Sequence, residues 1–76
     1  MTKKEESELA ATFGAAMIPD HHRGHGWSMF ELNGWTIWFA SSGWIRAKLV
    51  DDRYTDHRTH KSLREALSAA SLFKAS

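Results

Sequence analysis

The side chains best suited to chemistry in this sequence are its histidines, which form two groups along the chain. Their imidazole nitrogens, together with the carboxylates of Asp20 and Asp56, could provide a tetrahedral zinc site. Such a site needs four converging ligands, and a proline and two glycines around the first group disfavour a helix that would align its members. We therefore expect no metal site, and we interpret the histidines as solvated residues able to form a pH-sensitive contact surface. The two groups are His21, His22 and His25, and His57 and His60.

The carboxylates do not form a catalytic set. The acidic residues within positions 5–8 crowd at the start of a predicted helix, where the helix dipole favours them, and Asp51-Asp52 is typical of a turn. The sequence shows neither the Ser-His-Asp arrangement of a hydrolase triad nor a glycine-rich phosphate-binding loop. We therefore predict that the protein is not an enzyme, with no catalytic residues and no cofactor.

The stretch over residues 27–50 is the element that must position any site. Asn33-Gly34 lies between two aromatic and β-branched runs, and this pair is typical of a two-residue type I′ turn because both central residues need φ > 0. The turn should place Leu32 opposite Trp35. A third run follows Ser-Ser-Gly at 41–43, so the sequence predicts a three-stranded antiparallel meander.

This register divides the meander into two faces, because side chains alternate along a strand. Three tryptophans beside arginine and lysine on one of them resemble neither a solvated face nor an ordinary core. The face that we expect to form the core carries Ser28, Phe30, Leu32, Trp35, Ile37, Phe39, Ile45, Ala47 and Leu49. The outer face carries Trp27, Met29, Glu31, Thr36, Trp38 and Ala40, joined by Trp44, Arg46, Lys48 and Val50.

A first helix is predicted before the meander. Thr2 and Glu5 have the spacing of a capping box, and apolar residues recur at helical spacing over about 3–16. Pro19 should end this helix, because the residue before a proline is biased away from helical geometry. A histidine-rich loop over 19–26 then leads into the first strand.

A second helix is predicted after the meander. Residues 53–59 alternate weakly and suggest a short fourth strand at the edge, and Ser62 with Glu65 has the spacing of a second capping box. The helix should run over about 63–74 with an apolar stripe of Leu63, Ala66, Leu67, Ala70, Leu72 and Phe73. Residues 1–76 are thus predicted to form one α+β domain, a three- or four-stranded antiparallel sheet with the C-terminal helix packed on it.

Length and composition narrow the classes of protein further. A chain of 76 residues has room for one small domain, and the lack of cysteine excludes a disulfide scaffold and a thiolate metal site. A net charge of +1 gives no overall attraction to nucleic acid or to an anionic membrane. No apolar stretch approaches a membrane span and the N-terminus lacks the apolar core of a signal peptide, so we expect no membrane partner and a cytoplasmic location.

The order of helix, strands and helix resembles two kinds of known protein. Double-stranded RNA-binding domains share it and open their last helix with a lysine cluster, a position held here by His60, Lys61 and Arg64. The layout also resembles small proteins of phages and mobile elements, including anti-CRISPR inhibitors, several of which are single domains with a twisted antiparallel sheet and a helix. The second resemblance is one of architecture, and it implies a protein that blocks a larger host complex.

Two functions remain open from the sequence. The first is a protein-binding module, and because Trp and Arg are enriched at interface hot spots, its candidate surface on the outer face is Trp27, Trp38, Trp44, Arg46 and Lys48. The second is a nucleic-acid-binding module that uses aromatic stacking and basic residues. Its candidate surface is Arg53, His57, Arg58, His60, Lys61 and Arg64. If the N-terminal helix covers the outer face, this surface and the histidine-rich loop become the candidates for protein binding as well. The near-neutral charge favours protein binding.

Overall fold

The computed structural model describes residues 2–18 and 29–74, so the predicted histidine-rich loop over 19–26, with Trp27 and Ser28, lies outside the described residues. The strands form one antiparallel sheet in the order β1-β2-β3-β4-β5, with α2 packed on it. This confirms the predicted α+β fold, although the sheet has five strands where three or four were predicted. The elements in chain order are α1 (Lys3–Thr12), β1 (Ala16–Ile18), β2 (Met29–Leu32), β3 (Trp35–Ala40), β4 (Gly43–Val50), β5 (Arg53–His60) and α2 (Leu63–Leu72).

The turn between β2 and β3 has the predicted geometry. Asn33 takes a φ of 54° and Gly34 a φ of 86°, both positive as a type I′ turn requires. Leu32 pairs with Trp35 across the turn, and the register continues along both strands. The faces of β2 and β3 are therefore the ones predicted from the sequence.

The turn between β3 and β4 is one residue shorter than predicted. Ala40 pairs with Gly43, which leaves only Ser41 and Ser42 between the strands. A shift of one residue moves every side chain of a strand to the opposite face, so the predicted assignment of β4 was wrong. Trp44, Arg46 and Lys48 lie on the same face as Phe30 and Ile37, and Ile45, Ala47 and Leu49 lie on the face of Met29 and Trp38.

The two faces of the sheet bury separate apolar clusters. Both helices pack on the same face of the sheet, and the cluster on this face is called the helix-side core. Ala10 of α1 belongs to the helix-side core, and no residue of α1 belongs to the cluster around Trp38. The helix-side core comprises Ala10, Phe30, Leu32, Trp35, Ile37, Trp44, Leu63, Ala66, Leu67 and Ala70. The second cluster comprises Met29, Trp38, Ile45 and Ala47, with Ile18, Ala40 and Tyr54 packed against it.

The first helix begins as predicted and ends earlier. Its start is the expected capping box, but it stops at residue 12 instead of about 16. Gly14 takes a φ of 81°, its N–H donates to the Ala11 carbonyl at 3.0 Å, and the N–H of Ala15 donates to the Ala10 carbonyl at 2.9 Å. This is the Schellman pattern that ends many helices. Gly14 is thus the stop signal in place of Pro19, and Ala16, the predicted last residue of the helix, is instead the first residue of β1.

The last helix is close to its predicted bounds but not to its predicted apolar stripe. It ends at residue 72 rather than 74, and Leu72 and Phe73 are exposed rather than buried. The side chain of Asn33 donates from Nδ2 to the carbonyl oxygens of Ala70 at 2.9 Å and Ser71 at 3.3 Å. The turn between β2 and β3 therefore satisfies carbonyls that the helix end leaves without partners.

The β5 strand extends the predicted segment by one residue, to His60, and lies at the edge of the sheet. A β-bulge interrupts it, because Asp56 and His57 together lie opposite Ala47 of β4. Asp56 takes a φ of 58° and pairs with Lys48 at 3.2 Å, whereas the ring of His57 contacts Trp38 on the other face. Bulges and charged side chains protect an edge strand from pairing with other chains.

Candidate functional site

The predicted outer-face patch does not assemble in the fold. Lys48 and the buried residues Trp44 and Arg46 lie on the helix side, whereas Trp38 lies on the opposite face and Trp27 is outside the described residues. Trp38 is only 5% exposed, and Trp44 and Arg46 are each 8% exposed. The expectation that these residues form one exposed surface was wrong, because it depended on the β4 phase that the shorter turn reverses.

Arg46 is a buried cation with two defined contacts. Its guanidinium carbon lies 4.2 Å from the centre of the Trp35 ring, a cation–π arrangement. Its Nε donates a hydrogen bond to Nε2 of His60 at 3.1 Å. Burial lowers the pKa of Arg46 and the charge of Arg58 adds to this, although a guanidinium stays charged at neutral pH. Arg46 therefore stabilises the interior below α2 and offers little area to a partner.

His60 accepts this hydrogen bond, so its Nε2 carries no proton. Burial lowers the pKa of His60 first, the charge of Arg46 lowers it further, and Glu65 opposes both. The imidazole is therefore neutral at physiological pH. Its other edge lines a surface groove on α2.

This α2 groove is an open surface depression of about 450 Å³, lined by His60, Arg64, Glu65, Ser68, Ala69, Leu72 and Phe73. Positions four apart lie above one another on a helix, so the lining follows two rows that start at Arg64 and at Glu65. Each row runs from a charged residue through a small one, Ser68 or Ala69, to a large apolar one. The small middle residues create the depression, and the ends of the rows give it one charged and one apolar end.

The charged end of the groove is fixed by the start of α2. The Ser62 hydroxyl accepts from the N–H of Glu65 at 3.2 Å, and the Glu65 carboxylate accepts from the N–H of Lys61 at 3.0 Å. Only one half of the predicted capping box therefore forms, because the Glu65 carboxylate accepts from the N–H of Lys61 and not from that of Ser62. Within residues 2–18 and 29–74, the Arg64 side chain has neither a hydrogen bond nor an ion pair, so its charge is available at the surface.

The apolar end of the groove is the most exposed large hydrophobic surface among the described residues. Leu72 is 74% exposed and Phe73 is 63% exposed. The indole N–H of Trp35 donates to the carbonyl oxygen of Phe73, which holds this end against the sheet. Single exposed apolar residues are common on monomers, but two adjacent ones beside a depression are typical of a contact surface.

The alternative basic surface is only partly brought together. His60 and Arg64 share the α2 groove and Lys61 precedes it, but His57 contacts Trp38 on the opposite face. Four lysines and arginines between positions 51 and 65 are matched by four carboxylates, which leaves no excess positive charge. The groove residues missed from the sequence are Glu65, Ser68, Ala69, Leu72 and Phe73. Their signal was the repeat of charged, small and large residues at intervals of four.

Other classes of site receive no support from the described residues. In these parts of the chain no three histidine or acidic side chains come together as metal ligands would, while His21, His22 and His25 lie outside them. None of the described helices has the length and apolar character needed to cross a membrane. In comparisons with known proteins, the chain matches no family model, no curated protein and no solved structure.

Proposed function

We propose that this chain is a protein-binding module without turnover of its own, and that the α2 groove is its binding surface. The observation that carries the proposal is the exposure of Leu72 and Phe73, at 74% and 63%, beside a depression that Ser68 and Ala69 also line. Burying an exposed Leu or Phe side chain contributes about 1.5–3 kcal/mol to association. Two such adjacent side chains at the end of α2 are suited to anchor a partner.

The proposal includes an inhibitory mode of action, in keeping with the resemblance to anti-CRISPR proteins. A domain of 76 residues has little depth for a substrate pocket but can cover a functional surface of a larger host complex. The neutral charge balance over positions 51–65 makes protein the favoured partner over nucleic acid.

A photo-crosslinking amino acid in place of Leu72 tests this function. The full chain would be irradiated in extract of the cells from which it comes, with the same amino acid in place of Leu49 as the control. Leu49 is also exposed but lies on β4, away from α2. We expect one defined protein adduct at position 72 and none at 49, removed by excess unlabelled wild-type chain but not by a Leu72→Asp chain.

Two results would contradict this function. Equal labelling at both positions, or no protein adduct at position 72, would reject α2 as the binding surface. A nucleic-acid adduct whose yield falls steeply with salt would favour the alternative function, because phosphate contacts release counterions.

A further inference from the structure

We infer that the α2 groove recognises an acidic, apolar peptide segment of its partner, with a carboxylate at Arg64 and a large apolar side chain against Leu72 and Phe73. This inference rests on the proposed protein-binding function and specifies the chemistry of the partner. The two ends of the groove carry it, because they differ in character and stand at a fixed separation on one helix.

The charge of the bound segment follows from the charges at the charged end of the groove. Glu65 lines this end and keeps its negative charge, although its carboxylate is held by the N–H of Lys61. His60 is held neutral by the hydrogen bond from Arg46. Against this one negative charge stand the positive charges of Arg64 in the lining and of Lys61 beside it. Both side chains are exposed, and neither has a hydrogen bond or an ion pair with the described residues. A carboxylate is the complementary group, since arginine binds it through two parallel hydrogen bonds.

The spacing of the occupant follows from the helix. Arg64 and Leu72 are eight positions apart, which corresponds to about 12 Å along the axis. A carboxylate and a large apolar side chain span this distance when they lie about four residues apart in an extended segment, or about two turns apart on a helix.

The same features disfavour a nucleic acid in this groove. A nucleic acid presents phosphate groups at regular intervals, whereas the groove has its charges at one end only and is apolar at the other.

A display library of random twelve-residue peptides, selected on the immobilised full chain, tests the inference directly. Peptides that bind the Leu72→Asp chain would first be removed from the library, because they bind without the apolar end of the groove. We expect the remaining peptides to combine Asp or Glu with Leu, Ile, Phe or Trp at the separation given above. In fluorescence anisotropy, a labelled peptide of this class should lose about tenfold in affinity on Arg64→Glu.

The matched control is Lys4→Glu, which makes the same charge change on an exposed position of α1 and should leave affinity unchanged. Circular dichroism of each variant verifies that the fold is intact. Selected peptides that lack acidic residues, or that bind Arg64→Glu as tightly as wild type, would overturn the acidic preference. A selection with no enrichment would overturn the groove as a peptide site. Neither result removes a protein adduct at position 72, so failure of the inference and failure of the proposed function are distinguishable.

Discussion

Arg46 and His60 are joined by a hydrogen bond of 3.1 Å from a guanidinium Nε to an imidazole Nε2, at the border between the helix-side core and the α2 groove. The bond requires a neutral imidazole. One interaction therefore links the stability of the interior, the state of the groove wall and the pH of the solution.

The first prediction is that the free energy of unfolding falls as the pH falls below about 6.5. Burial and Arg46 lower the pKa of His60 in the folded chain, while in the unfolded chain it stays near 6.5. Between these two pKa values the unfolded state binds more protons, so stability is fully present above the unfolded value and is lost as the pH drops toward the folded one. Urea denaturation at pH 7.5 and 5.0 measures the loss.

Two variants test whether His60 is the source of this pH dependence. His60→Gln keeps an acceptor for Arg46 without a titratable group, so the loss between the two pH values should become smaller. His57→Gln, on the other face of β5, should leave the loss as it is in wild type. If His60→Gln retained the whole loss, the Arg46–His60 bond would not be its source.

The second prediction concerns Gly43, whose φ of 130° is unfavourable for other residues. A Cβ at this position would lie 2.6 Å from the backbone carbonyl oxygen of His60, and backbone cannot move aside as a flexible side chain can. We expect Gly43→Ala to cost about 2 kcal/mol or more in free energy of unfolding. Gly14→Ala is the comparison, because Gly14 also has a positive φ but no atom within 4 Å of the added Cβ. Equal losses for the two variants would show that close approach to β5 has no cost.

The third prediction is a stabilisation at the turn between β4 and β5. Asp51 and Asp52 take φ angles of 51° and 63°, so two aspartates occupy the left-handed region where Asn-Gly is preferred. Replacing both by Asn-Gly should raise the free energy of unfolding by about 0.5–1 kcal/mol. Asp51→Asn alone removes one charge without adding a glycine, and it should give less than half of the gain. A double variant no more stable than wild type would contradict the strain inferred from these angles.

The fourth prediction concerns Trp38, assigned from the sequence to an exposed binding face. Because it is buried in the second cluster, Trp38→Ala should destabilise the domain by roughly 3–5 kcal/mol. Phe39→Ala, at a neighbouring and more exposed position, should cost clearly less. Thermal unfolding followed by circular dichroism compares the two. A stable Trp38→Ala chain that had lost its partner would place the binding surface on the Trp38 face of the sheet instead of the α2 groove.

Local signals in the sequence predicted the structure correctly where one residue pair determines the backbone conformation of a turn. Asn33-Gly34 predicted a turn, a register and the faces of two strands, because both residues tolerate positive φ. Ser41-Ser42 carries no such preference, and the following Gly43 made a three-residue connection equally compatible with the sequence. The difference of one residue reversed the faces of β4, and with them the predicted binding patch.

The α2 groove could not be predicted because it depends on which side of α2 meets the sheet. Apolar spacing placed Leu72 and Phe73 in the buried stripe together with Leu63 and Ala66. The helix ends at Leu72, and the side chain of Phe73 is left outside the core. The indole N–H of Trp35 binds the carbonyl oxygen of Phe73. This is a tertiary contact between residues 38 positions apart, which helical periodicity does not encode.

The hydrogen bonds from Asn33 to the end of α2 have a consequence for the order of folding. The turn closes over two residues, which is a fast event with a small entropic cost, whereas its amide meets Ala70 across 37 positions of chain. The amide group that binds the C-terminal end of α2 is therefore in place as soon as the hairpin of β2 and β3 forms. We therefore expect this hairpin to form before α2 packs on the sheet, and to fix the position at which the end of the helix binds.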